Sequence, residues 1–192
     1  MKDIVSKSIQ ESINTKQALL GDPANLESII QAAECMVQTF KTGGKVLLCG
    51  NGGSAADAQH IAAELSGRFY IDRPPLYAEA LHVNSSYLTA VSNDYGYEIV
   101  FSRMLEAAGK PGDTLIALST SGNSGNIIKT IECAKKQSMH VIGFTGASGG
   151  KMDKLCDIML KVPSNDTPRI QESHILLGHI LCELVEKELF GK

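Results

Sequence analysis

The spacing of apolar positions changes near residue 44. Before it, apolar residues recur every three or four positions. Residues 3–20 set Ile4, Ile9, Ile13, Leu19 and Leu20 among polar neighbours, a loose helical stripe. Asp22-Pro23 then signals a new helix start. Leu26, Ile29, Ile30, Ala33, Met36, Val37 and Phe40 define one apolar face, and Gly43-Gly44 stops it.

Beyond residue 44 the apolar residues come in short continuous runs. Residues 45–49, 113–118, 140–145 and 157–162 are such runs, and 77–81 is a weaker one. Helical periodicity returns between them, for example in Ile127, Ile128, Ile131 and Ala134. Runs of this kind are strands buried on both faces, and their alternation with helices predicts a parallel sheet with crossover helices. Ile170, Leu177, Ile180, Leu181, Leu184 and Val185 predict a long last helix over 168–190. No repeat, linker or low-complexity tract divides the chain, so the expectation is one α/β domain over 1–192. Its N-terminal helices occupy 1–43, and its core and C-terminal helix occupy 44–192.

Composition adds limits to this picture. The 192 residues are 43% hydrophobic and 20% charged, enough apolar material for a sizeable core. Eighteen Lys+Arg against 21 Asp+Glu leave a net charge of −3, which disfavours general binding to nucleic acid or anionic membranes. Cys35, Cys49, Cys133, Cys156 and Cys182 are odd in number, sit in apolar stretches and form no CxxC. They read as buried free thiols of a reducing compartment. The first residues lack a signal-peptide apolar region, and no run approaches the ~20 residues that span a bilayer. A cytoplasmic location is expected.

Two loops bring candidate chemistry. The first strand runs into Gly50-Asn51-Gly52-Gly53-Ser54, and the 113–118 strand into Ser119-Thr120-Ser121-Gly122-Asn123-Ser124. Each leads into a helix, at the carboxyl end of a parallel strand, where α/β sheets bind ligands. Unpaired N–H groups, the helix dipole and glycines that admit close approach all favour an anion there. Neither loop has the GK[ST] of a nucleotide-binding P-loop, nor does the first fit GxGxxG. A sugar phosphate suits them better than a nucleotide, although plain strand–helix turns with Ser or Asn caps use the same residues.

His60 and Glu64 are four apart on the helix leaving the first loop. That spacing places them on one face, about 6 Å apart along the axis. It allows chelation of one metal ion or a simple surface contact. The last helix carries Gln171, Glu172, His174 and His179. Gln171 and His179 are eight residues apart, about 12 Å of rise, so one helix brings both to one ion only by an irregularity or with help from another subunit. His82, His140 and His174 read as structural or surface residues. Asn93-Asp94-Tyr95-Gly96 is a turn signal. Arg68 and Arg169 are candidate phosphate partners or surface charges.

Taken together, KVLLCGNGGSAADAQHIAAELSGRF, SNDYG, DTLIALSTSGNSGNI and RIQESHILLGHILCELVEKEL resemble the bacterial phosphoheptose isomerases of the sugar isomerase (SIS) fold group. The resemblance covers nearly the whole chain. It implies a three-layer α/β sandwich with a five-stranded parallel sheet between helices. It implies conversion of sedoheptulose 7-phosphate to D-glycero-D-manno-heptose 7-phosphate through an enediol, supplying heptose to lipopolysaccharide or capsule. By resemblance, His60, Glu64, Gln171 and His179 match zinc ligands, one ion per subunit, and Glu64 and His179 the acid–base pair. Asn51, Gly52, Gly53, Glu64, Asn93, Asp94 and Gln171 match substrate contacts, with Ser119, Thr120, Ser121 and Ser124 on the phosphate. The family is a homotetramer with active sites between subunits.

The chain departs from the family at Pro168, where many relatives carry an acidic residue. The fold group also holds tetrameric adaptors of the replication initiator and sugar-phosphate-sensing regulatory domains, since fold alone does not fix function. Adaptors lack the catalytic pair that this chain keeps. Regulators usually carry a DNA-binding domain, for which these 192 residues leave no room.

Overall fold

The computed structural model describes residues 1–191. Two helices come first, α1 (Lys2–Leu20) and α2 (Pro23–Lys41). The expected start at Asp22-Pro23 is present: Asp22 caps α2 by accepting from the Ala24 and Asn25 amides. The α/β part follows in the order β1 (Val46–Cys49), α3 (Gly53–Ser66), β2 (Ala78–Ala80), α4 (Ser85–Tyr95) and α5 (Val100–Ala108). It continues through β3 (Thr114–Leu118), α6 (Gly125–Lys136), β4 (His140–Thr145), β5 (Ile158–Lys161) and α7 (Thr167–Phe190).

All five strands are parallel, in the order β2-β1-β3-β4-β5. The weak 77–81 run is the edge strand β2. Chain progress goes one way from β1 to β2 and the other way from β1 to β3. The crevice between the ends of β1 and β3 is therefore the switch point at which such sheets bind ligands. The two Gly/Ser loops leave those two strands.

Strand alternation divides the core between the faces of the sheet. Val46, Leu48, Ile116, Leu118, Ile142 and Phe144 pack with α2, α3 and α7. Leu47, Cys49, Leu115, Ala117 and Val141 pack with α5 and α6. A helix layer on each side of the sheet makes the expected three-layer sandwich.

One expectation is corrected. Asn93 and Asp94 do not form a turn; they lie in the last turn of α4, which ends at Gly96 with φ of 91°. Between β4 and β5, Gly150–Lys154 form a 3-10 turn. On α1 the loose stripe is mostly open to solvent: Leu19 is buried, but Ile4, Val5, Ile9, Ile13 and Leu20 are exposed. All five cysteines are free thiols, with Cys49, Cys133 and Cys182 buried and Cys35 and Cys156 partly so. Among the described residues no helix is long and apolar enough to cross a membrane.

Candidate active site

Helix α7 crosses α3 closely because residue 178 has no side chain. A Cβ on Gly178 would lie 2.5 Å from the Ile61 side chain. Ile61 follows His60, and His179 follows Gly178, so this contact brings the two imidazoles together edge to face. Their Nε2 atoms are 3.4 Å apart, with ring centroids at 5.0 Å. His60 Nε2 is also 3.1 Å from Glu64 Oε1. Ligand atoms of His60, Glu64 and His179 all lie within 4.8 Å of one another. His179 thus reaches the α3 pair within one chain. Phe69 backs the cluster, its ring 5.6 Å from that of His179.

Gln171 lies two turns back along α7, at the other end of α3. Its side-chain amide rests on Gly53, where any Cβ would overlap it. Gln171 therefore sits over the first loop. Gly52 caps α3 with φ of 54°, a conformation that favours glycine, and open space above it.

A pair of amides ties the two loops together. Asn51 Nδ2 donates to Asn126 Oδ1 at 2.9 Å, and Asn126 Nδ2 donates to Asn51 Oδ1 at 2.9 Å. The Tyr97 hydroxyl donates to the same Asn51 oxygen at 3.2 Å. Asn51 thus spends both polar ends of its side chain on the second loop's helix. Beyond that pair, Ser119 and Ser124 hydroxyls are 3.0 Å apart, and Ser121 Oγ accepts from the Asn123 amide. Thr120 and Ser121 open onto a cavity of about 250 Å³ whose wall includes Asn123, Ser148, Asn165 and Thr167. Larger cavities of about 440 and 370 Å³ lie against α2 and contain none of the predicted residues. Position beyond the carboxyl ends of β3 and β4 and hydroxyl chemistry outweigh size here.

Asn93 and Asp94 lie exposed, Asn93 Nδ2 donating to Asp94 Oδ1 at 2.9 Å. Arg169 is held away from the loops: it donates to the Ser8 carbonyl of α1 and pairs with Glu172 and Glu11. Arg68 is exposed. Of the remaining histidines, His140 is exposed and His82 half-buried. His174 is fully buried against the Thr145 carbonyl at 3.2 Å, and burial pulls it down to about 4, outweighing that hydrogen bond. One turn before His60, partial burial pushes the Asp57 carboxyl up to about 6, with His60 pulling the other way.

Sequence reasoning missed Asn126, Tyr97 and Gly178. Gly178 did carry a signal, since a lone glycine inside an apolar helix marks close packing. Asn126 and Tyr97 carried none, because their partner is a side chain 75 or 46 positions away.

The fold and site define a sugar isomerase class of protein: the SIS domain family model matches residues 13–146. Particular relatives narrow this. The phosphoheptose isomerase of Aneurinibacillus thermoaerophilus is 55% identical over 190 residues, covering 99% of this chain and 96% of that protein. The solved phosphoheptose isomerase of Neisseria gonorrhoeae superposes with a TM-score of 0.91 at 45% identity, covering 97% of this chain and 98% of that one. The Francisella tularensis phosphoheptose isomerase gives 0.92 at 39% identity, covering 96% and 97%. The chain belongs to the phosphoheptose isomerase family of SIS-domain proteins, and is an enzyme of the isomerase class.

Proposed function

We propose that the protein interconverts sedoheptulose 7-phosphate and D-glycero-D-manno-heptose 7-phosphate. The observation that carries this is the convergence of His60, Glu64 and His179 from α3 and α7 in a chain whose two anion-ready loops leave the sheet's switch point. Ser119, Thr120, Ser121 and Ser124 hold the phosphate at the start of α6. The backbone of Asn51, Gly52 and Gly53, the Gln171 amide, and Asn93 and Asp94 hold the sugar. Glu64 lies 11 residues past Gly53, about 16 Å of helix rise, so phosphate bound at the loops meets acid–base groups across the subunit interface, and the two together orient the sugar chain.

Moving the carbonyl from C2 to C1 needs one proton taken from C1 and one delivered to C2. In a coordination state that leaves their reacting atoms free of the metal, Glu64 takes the C1 proton as His179 donates one to the C2 oxygen, leaving a cis-enediol. Return of a proton to C2 and loss of the O1 proton give the aldose. Positioned transfers of this kind contribute roughly 10²–10⁴-fold.

The donor chemistry also fits a zinc ion, one per subunit. Ligands about 2.0–2.1 Å from a tetrahedral ion lie about 3.3 Å apart. The His60–Glu64 and His60–His179 separations of 3.1 and 3.4 Å agree with that. His60, Glu64 and His179 would be ligands; Gln171, at the other end of α3 in the same chain, would join them only from another subunit. When bound, such an ion supplies a Lewis acid for the oxygen that gains negative charge.

The working unit is a homotetramer with active sites between subunits. Supporting this, α1 presents Val5, Ile9 and Ile13 to solvent at 56%, 57% and 43% exposure, an apolar face left half open by the described residues. His60 also remains exposed, as do Tyr70 and Ile71. The reaction takes place in the cytoplasm and supplies heptose for lipopolysaccharide or capsule.

Incubation with sedoheptulose 7-phosphate, with and without a chelator, tests the reading. Aldose formation that the chelator abolishes and zinc restores is expected. No aldose with any metal would overturn it.

A further inference from the structure

Away from the reacting groups, the segment after α3 folds around one buried ion pair. Glu186 and Arg73 side chains are 3% and 2% exposed, with Arg73 Nε donating to Glu186 Oε1 at 3.0 Å. Glu186 also accepts three successive backbone amides, from Phe69, Tyr70 and Ile71, at 3.2, 2.7 and 3.1 Å. Burial by itself would raise this carboxyl, but those amides and the guanidinium outweigh it and hold it below the ordinary range.

The rest of the Arg73 fork caps α3. Its two terminal nitrogens donate to the carbonyls of Glu64, Leu65, Gly67 and Pro74 at 2.7–3.3 Å. The last turn of α3 has no basic residue of its own. Arg73 supplies the positive charge and donors that a helix C-terminus lacks.

Two of these contacts lead to the acid–base pair. Arg73 holds the backbone of Glu64 itself. Glu186 fixes the amide of Phe69, whose ring packs on His179. Glu186 lies seven residues after His179, two turns along the same face of α7. One ion pair therefore grips the helix end bearing Glu64, the aromatic behind His179, and the helix bearing His179.

We infer that Arg73 and Glu186 are positioning residues that set the geometry of Glu64 against His179. The inference rests on the isomerase reading for its kinetic consequence only. A buried pair used merely for stability is replaceable by apolar residues of similar volume at little cost. A positioning pair is not.

The test compares Arg73→Lys, which keeps charge but loses the fork, with the double variant Arg73→Met/Glu186→Leu, which leaves no lone buried charge. Kinetics with sedoheptulose 7-phosphate and histidine-ring NMR are read on folded protein. We expect kcat to fall at least tenfold in both, KM to stay within about twofold, and the His60 and His179 resonances to move while His140 does not. Glu186→Asp, which retains the charge, recovers part of kcat. Wild-type kcat and unmoved His60 and His179 resonances in a folded variant overturn the inference. Should the wild type be inactive while those two resonances still move, the positioning role stands and the isomerase reading fails.

Discussion

His60 and His179, 119 positions apart, face each other with their Nε2 atoms 3.4 Å apart. The approach depends on their neighbours Ile61 and Gly178, which let α3 and α7 touch. Gly178→Ala introduces a Cβ against a fully buried Ile61. Overpacking of this kind costs roughly 1–3 kcal/mol. Chemical denaturation should report that loss, and turnover should fall with it. Adding Ile61→Ala should recover turnover; a Gly178→Ala enzyme of full activity would refute this packing role.

Asn126 holds Asn51 through a reciprocal pair of amide bonds. Asn126→Ala leaves a partly buried amide unpaired, at a cost of roughly 1–3 kcal/mol. Because the pair joins the two loops, KM for the sugar phosphate should rise as well. A KM equal to that of the wild type, measured in steady-state assays, would separate the pair from substrate binding.

Stability should respond to pH through His174. Its folded value of about 4 lies below the usual 6.5, so the unfolded chain binds the extra proton between those values. Its contribution is complete above pH 6.5 and is lost as pH falls toward 4, up to about 3 kcal/mol. Asp57, pushed up to about 6, acts oppositely: the folded state holds its proton, so stability falls as pH rises from the usual carboxylate range to 6. Urea midpoints of wild type and His174→Gln isolate the histidine. The wild type should lose more stability between pH 6.5 and 4; parallel curves would contradict the assignment.

The exposed α1 face predicts assembly. Light scattering should find four chains per particle. Replacing Ile9 and Ile13 with Lys should give smaller species, because charge on a buried interface is costly. A tetramer indifferent to both changes would place the interface elsewhere.

Much of this was legible in the chain. Four continuous apolar runs gave four strands, and the Gly/Ser loops marked the carboxyl ends of two parallel strands, where such sheets bind ligands. Helices α4 and α5 escaped notice. In α4 only Val91 is buried, so its periodicity is faint, and Asn93 to Gly96 has a turn's composition. His60 and Glu64 were visible because a helix repeats locally. Their meeting with His179 was not, since it depends on a missing Cβ at 178. Arg73 and Glu186 were also invisible, because in sequence they look like any surface charges.

The central claim is that Glu64 and His179 carry the isomerisation. Its most direct test is aldose formation from sedoheptulose 7-phosphate by Glu64→Gln and by His179→Gln, with folding and assembly verified. Turnover should fall by at least about 10² in each, the lower range for a lost proton transfer. Either variant turning over at the wild-type rate would contradict the account.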